Sequence, residues 1–116
     1  MVEVEVSDDT VKVHVLGGHR LLALREEVTL DVAAIRGVRI AEVDLRPPWI
    51  RTPGAFFPGA IAAGTFRGKG RKEFWDTNFQ GHAILIDLAG PGYTRLVVDV
   101  ADPDAALAEL SLAVAA

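Results

Sequence analysis

Apolar and polar residues alternate strictly at the start of the chain. Val2-Glu-Val-Glu-Val6 is followed by Ser7-Asp-Asp-Thr10 and then by Val11-Lys-Val-His-Val15. A period of two sends successive side chains to opposite faces, and the Ser/Asp/Asp/Thr run supplies turn chemistry. The pattern therefore predicts a β-hairpin in which Val2, Val4 and Val6 share a face with Val11, Val13 and Val15. Gly17-Gly18 ends the second strand. The Leu-Leu-Ala-Leu cluster within His19 to Arg25 is too short for its period to decide, and it is read as a short helical turn. Val28-Thr-Leu30 predicts a brief strand. Asp31 and Gly37, on either side of Val-Ala-Ala-Ile-Arg, have the places of an N-cap and a C′ glycine around one helical turn, and Val38 to Val43 reads as the next strand.

Pro47-Pro48, Pro53-Gly54 and Pro58-Gly59 predict that everything up to residue 59 is loop, because proline cannot donate to a ladder and glycine loosens the backbone. Beyond it, strands are expected over Ala60–Arg67, Lys72–Phe79, Ala83–Leu88 and Thr94–Val100, separated by glycine-bearing turns. Asp102 and Pro103 form a cap and first helical position, and Leu107, Leu110 and Val114 line one face of a closing helix. The fold class that follows is mainly β: an antiparallel barrel or sandwich of about seven or eight strands, capped by a C-terminal α-helix.

The chain has 116 residues, 50% of them apolar, which suits one globular domain spanning residues 1–116. No run reaches the roughly 18 apolar residues of a spanning helix, and the N-terminus has no basic start and apolar stretch. A cytoplasmic home, with peripheral membrane attachment as a variant of it, is the expectation. Without cysteine there is no disulfide framework, thiolate metal site or cysteine nucleophile. The net charge of −4 conceals a segregation: Arg46 to Lys72 carries six basic residues and no acid, while the remainder carries six basic against sixteen acidic residues. Such a split predicts a basic side and an acidic side, or merely a solvated basic loop.

Several segments together resemble bacterial PH-like domains of actinobacteria, within the pleckstrin-homology-like fold. They are Asp31-Val-Ala-Ala-Ile-Arg-Gly-Val38, Pro58-Gly-Ala-Ile-Ala-Ala-Gly-Thr-Phe-Arg67, Phe74-Trp75, and Leu96-Val-Val-Asp-Val ahead of Asp102-Pro103. The resemblance covers nearly the whole chain and implies a scaffold or binding role. Phosphoinositide-binding PH domains carry cations in the first hairpin turn. Here that turn is Ser7-Asp-Asp-Thr10, whose carboxylates would repel phosphate, so no lipid role is carried onto it.

Chemistry-bearing motifs point away from catalysis. Gly64-Thr-Phe-Arg-Gly-Lys-Gly70 has neither the spacing nor the hydroxyl of a Walker loop, and it reads as a glycine hairpin turn with solvated cations. His14, His19 and His82 sit on separate elements without a second ligand at metal spacing, Ser7 and Ser111 have no nucleophile elbow, and the paired acids lie on exposed faces or turns. No catalytic residue, metal or cofactor is expected.

What remains is a basic, aromatic-bearing side: Arg46, Trp49, Arg51, Phe56, Phe57, Arg67, Lys69, Arg71 and Lys72, with Ile50 among them. Rings beside guanidinium groups are the composition of interaction hot spots, unless Trp49, Phe56 and Phe57 fold back to plug the barrel. Of Phe74 and Trp75, on opposite sides of one strand, one should be core. The first expectation is a non-catalytic module binding an unidentified protein partner, an acidic one being the natural complement. The alternative is attachment to anionic membrane lipid through the same side, and a small-ligand pocket or enzyme is a remote third. Nucleic acid is not expected, given the net acidity and the absence of an RNA-binding motif. Nor is a homo-oligomer, because outward glutamates discourage pairing at the Val/Glu edge.

Overall fold

A computed structural model describes residues 1–16, 27–42, 45, 50–57, 61–68, 70–90 and 92–115, with the side chains of 50–57 and of 61 outside that description. The strands are β1 (Val2–Val6), β2 (Thr10–Val15), β3 (Glu27–Asp31), β4 (Ile35–Ile40), β5 (Ile50–Phe57), β6 (Ile61–Gly68), β7 (Arg71–Thr77), β8 (Ala83–Leu88) and β9 (Arg95–Asp99). A 3-10 turn, Val32–Ala34, precedes β4, and one helix, α1 (Pro103–Ala115), ends the chain.

The first hairpin forms as the alternation predicts. Val2, Val4 and Val6 lie opposite Val15, Val13 and Val11, and β3 adds to β2 with Leu30 opposite Val11 and Val28 opposite Val13. This gives a three-stranded antiparallel sheet with one apolar face. The other six strands form a second sheet in the order β4-β8-β9-β7-β6-β5. The chain leaves β7, skips one strand position to make β8, and returns as β9 to fill the gap. β9 is therefore antiparallel to β8 and parallel to β7, so the all-antiparallel expectation fails at one pairing. Among the described strands neither sheet closes on itself, and the architecture is two packed open sheets with a C-terminal helix.

The inner face of the first sheet packs against Phe74, Ile84, Ile86, Leu96 and Val98 of the second. A second apolar cluster, centred on Trp75 with Phe66, Leu85 and Val97, covers the opposite face of the large sheet. Phe74 and Trp75 are consequently both buried, not one of the two, because this sheet is covered on both sides. The Met1 ammonium lies 2.8 Å from Oδ2 of the buried Asp76, tying the start of β1 to β7.

Four local expectations change. Asp31 is the last residue of β3 and makes no side-chain cap, and the turn after it is 3-10. The reason is that Ile35 is drawn at once into the core opposite Leu88. Gly37 lies inside β4 beside a register shift, not behind a helix, and β4 ends at Ile40 instead of reaching Val43. The proline segment is not all loop: β5 pairs with β6, and Thr52-Pro53 form a bulge where Arg51 faces Phe66 and Gly54 faces Gly64. An edge strand needs only one ladder, and a bulge needs less, so proline is accommodated there. Helix α1 buries Leu110 and half-buries Leu107, while Val114 stays 39% exposed. The helical turn expected at His19 to Arg25 lies outside the described residues. None of the helices in the described residues is long and apolar enough to cross a membrane.

Candidate functional site

Of the predicted basic side, Arg67, Arg71 and Lys72 are the cations with described side chains, and all three lie on the β6–β7 hairpin. Gly68 ends β6 and Gly70, at φ 78°, turns the chain into β7, a left-handed conformation that glycine adopts without steric cost. The Gly64 to Gly70 run, read from its spacing as a glycine turn, is therefore β6 strand as far as Gly68, with Gly64 paired to Trp75, and the turn is confined to its end at Gly70. Within the hairpin Arg67 pairs with Lys72 and Gly68 with Arg71. Directly opposed residues share a face, so Arg67 and Lys72 stand together while Arg71 emerges on the other side. The predicted single basic side is divided by the pleat.

Arg67 is exposed and Lys72 half-buried. The Lys72 ammonium lies 4.7 Å from the centroid of Tyr93, a cation–π contact that fixes the amine over the ring. Tyr93 is itself held: its hydroxyl and the Thr65 Oγ1 are 2.9 Å apart, and its ring meets Phe74 edge-on with centroids 6.0 Å apart. The Lys72 backbone is fastened to Thr94, whose N–H donates to the Lys72 carbonyl at 2.7 Å and whose hydroxyl accepts from the Lys72 N–H at 3.2 Å. Two cations opposite one another repel. Lys72 is thus anchored at its backbone and over Tyr93, directly across the ladder from Arg67.

Arg71 has a different role. Its guanidinium lies 3.5 Å from Oε2 of Glu73, a buried carboxylate whose other oxygen accepts the indole N–H of Trp75 at 2.9 Å. Arg71 thus stands beside an internal charge while its own side chain remains half exposed. Arg46, Trp49 and Lys69 lie outside the described residues. Arg51, Phe56 and Phe57 are placed by their backbone on edge strand β5, opposite Phe66, Ala62 and Ile61 respectively, and whether those rings project or fold inward lies outside the described side chains.

Glu73, Tyr93, Thr65 and Thr94 are the site residues that composition did not reveal. Tyr93 is the chain's one tyrosine and directly follows Gly90-Pro-Gly92, which was the available signal. A cleft of about 200 Å³ has Thr29, Leu30, Asp31, Leu88, Ala89 and Tyr93 on its walls. His14 is paired with Glu27 at 3.1 Å, His82 is exposed, and His19 is outside the described residues. Among the described residues no group of three His, Cys, Asp or Glu is placed to hold a metal ion. No protein-family model, curated protein or solved structure matches the chain.

Proposed function

We propose that the chain is a non-catalytic binding module of the PH-like kind, which presents the Arg67/Lys72 end of the β6–β7 hairpin to an acidic protein partner. The PH-like assignment is supported by two packed sheets followed by a C-terminal helix and by the segments quoted above. The observation that carries the binding reading is Arg67 directly opposite a Lys72 already fixed over Tyr93. Like charges held face to face cost stability in the free protein, and an anionic group between them removes that cost.

The test is affinity capture from the native cell with wild-type protein and an Arg67→Glu control, each checked for its melting temperature. An acidic partner held by the wild type, released by moderate salt and lost from the variant at unchanged melting temperature supports the proposal. Equal capture by both refutes it. Flotation with phosphatidylserine vesicles, with no protein partner captured, would transfer the surface to lipid. Arg71→Glu is not a usable control, because it sets a second carboxylate beside buried Glu73.

A further inference from the structure

The opposite charge gathers at another edge. The Ser7 N–H donates to the Thr10 carbonyl at 2.9 Å and the Leu16 N–H to the Met1 carbonyl at 3.0 Å. These two bonds set the phase of the β1–β2 ladder: Glu3 and Glu5 exchange hydrogen bonds with β2, and the backbone N–H and C=O groups of Val2, Val4 and Val6 point away from it. The sheet order leaves β1 at the edge among the described strands. Val2 is buried, whereas Val4 and Val6 are half-exposed, so the usable edge is Val4 to Val6.

Two grooves flank that edge. One, of about 380 Å³, has Glu3, Glu5, Val4, Val6, His14 and Glu109 on its walls. The other, of about 210 Å³, continues from Val4 and Glu109 to the first turns of α1, with Val100, Ala105 and Ala106 as its apolar floor and Asp102 at its end. Across both, the described walls carry four carboxylates. The one imidazole present is already paired with Glu27, Lys12 lies opposite Glu5 on the outer face of the sheet, and the Met1 ammonium is paired with Asp76.

We infer that β1 accepts an added strand: an extended peptide of alternating basic and small apolar residues, lying antiparallel to Val4–Val6 beside α1. The charge selects the occupant, because four carboxylates complement lysine or arginine and repel an anionic lipid surface or an acidic segment. The backbone supplies the remaining contacts, as in strand addition generally. Directly opposed residues share a face, so the apolar residues of the peptide would sit opposite Val4 and over Ala105 and Ala106, while its basic residues would meet Glu3 and Glu5. This surface is separate from the Arg67/Lys72 pair.

Fluorescence polarisation with a labelled peptide of about eight alternating lysine and valine residues tests it. Saturable binding is expected, with none for the glutamate–valine counterpart. Because Val4 points both backbone groups at the peptide residue opposite it, N-methylation of the peptide's valines should abolish binding, whereas N-methylation of its lysines should leave it intact. The double variant Glu3→Lys/Glu109→Lys, both exposed residues, should weaken binding by about tenfold or more. Equal loss from both N-methylated peptides, or binding indifferent to either, would overturn strand addition. Sedimentation showing that β1 instead pairs with a second copy, in a dimer broken by the double variant, would also overturn it.

Discussion

Asp99 is buried, and each of its oxygens has a donor: Oδ1 accepts the Thr77 hydroxyl at 2.6 Å and Oδ2 the Asn78 N–H at 2.8 Å. The same Thr77 oxygen accepts the Phe79 N–H at 3.1 Å. These bonds fix the exit from β7, where Phe79 adopts φ 62° and sets its ring against Trp75, centroids 6.3 Å apart. A left-handed phenylalanine is strained, and it persists because its surroundings determine it. Asp99→Ala strands two donors and should cost about 2–3 kcal/mol in urea denaturation followed by tryptophan fluorescence; a loss below about 0.5 kcal/mol would mean the network is idle. Arg71 and Arg67 give a second contrast. Arg71→Glu places like charge against buried Glu73 and should cost about 1–3 kcal/mol. Arg67→Glu converts a repulsive cross-strand pair with Lys72 into an attractive one, and its melting temperature should be unchanged or higher. If Arg67→Glu lowers stability as much as Arg71→Glu, the division of the cations between two faces is wrong.

At the level of elements, what is legible in the chain depends on how many faces an element buries. The Val/Glu/Lys/His alternation of β1 and β2 is visible because one face is core and the other is solvent. In β7, Glu73 to Thr77 are all buried, so polarity no longer tracks exposure, and Glu73 and Asp76 look like surface residues until their partners are seen. Pro53 hides β5 because proline removes a donor, and only knowledge of the strand's edge position and bulge makes it compatible. The crossover that makes β9 parallel to β7 has no local signature at all. Helix α1 was legible in position, since Asp102 does cap it, its Oδ1 accepting the Ala105 N–H at 3.1 Å. Its buried side was legible at Leu107 and Leu110 and failed at Val114 in the last turn, where an apolar residue stays 39% exposed. Leu110 is fully buried while Leu112 is 75% exposed. Leu110→Ala should therefore cost about 2–5 kcal/mol, and Leu112→Glu should stay within about 0.5 kcal/mol, by the same denaturation measurement. Comparable losses at the two positions would require the helix to be rotated about its axis.

Across the whole molecule, protection should follow the layering. β7 and β9 are interior strands, hydrogen-bonded on both sides within a sheet covered on both faces. Their amides have no route to solvent short of global unfolding. Native-state hydrogen exchange should accordingly give Phe74, Trp75, Leu96 and Val97 the largest opening free energies in the chain, equal to that of global unfolding. Strand β1 should behave differently within itself. The Glu3 and Glu5 amides bond to β2 and should be slow, while those of Val4 and Val6 point outward and should exchange far faster despite their apolar side chains. Burial of side chains and protection of amides thus run in opposite directions along a single strand, which no account based on hydrophobicity alone predicts. Addition of the lysine–valine peptide should slow Val4 and Val6 selectively and leave Phe74 unchanged. Slow exchange at Val4 in the free protein would mean that its N–H already has a partner, and the edge would not be available to another strand.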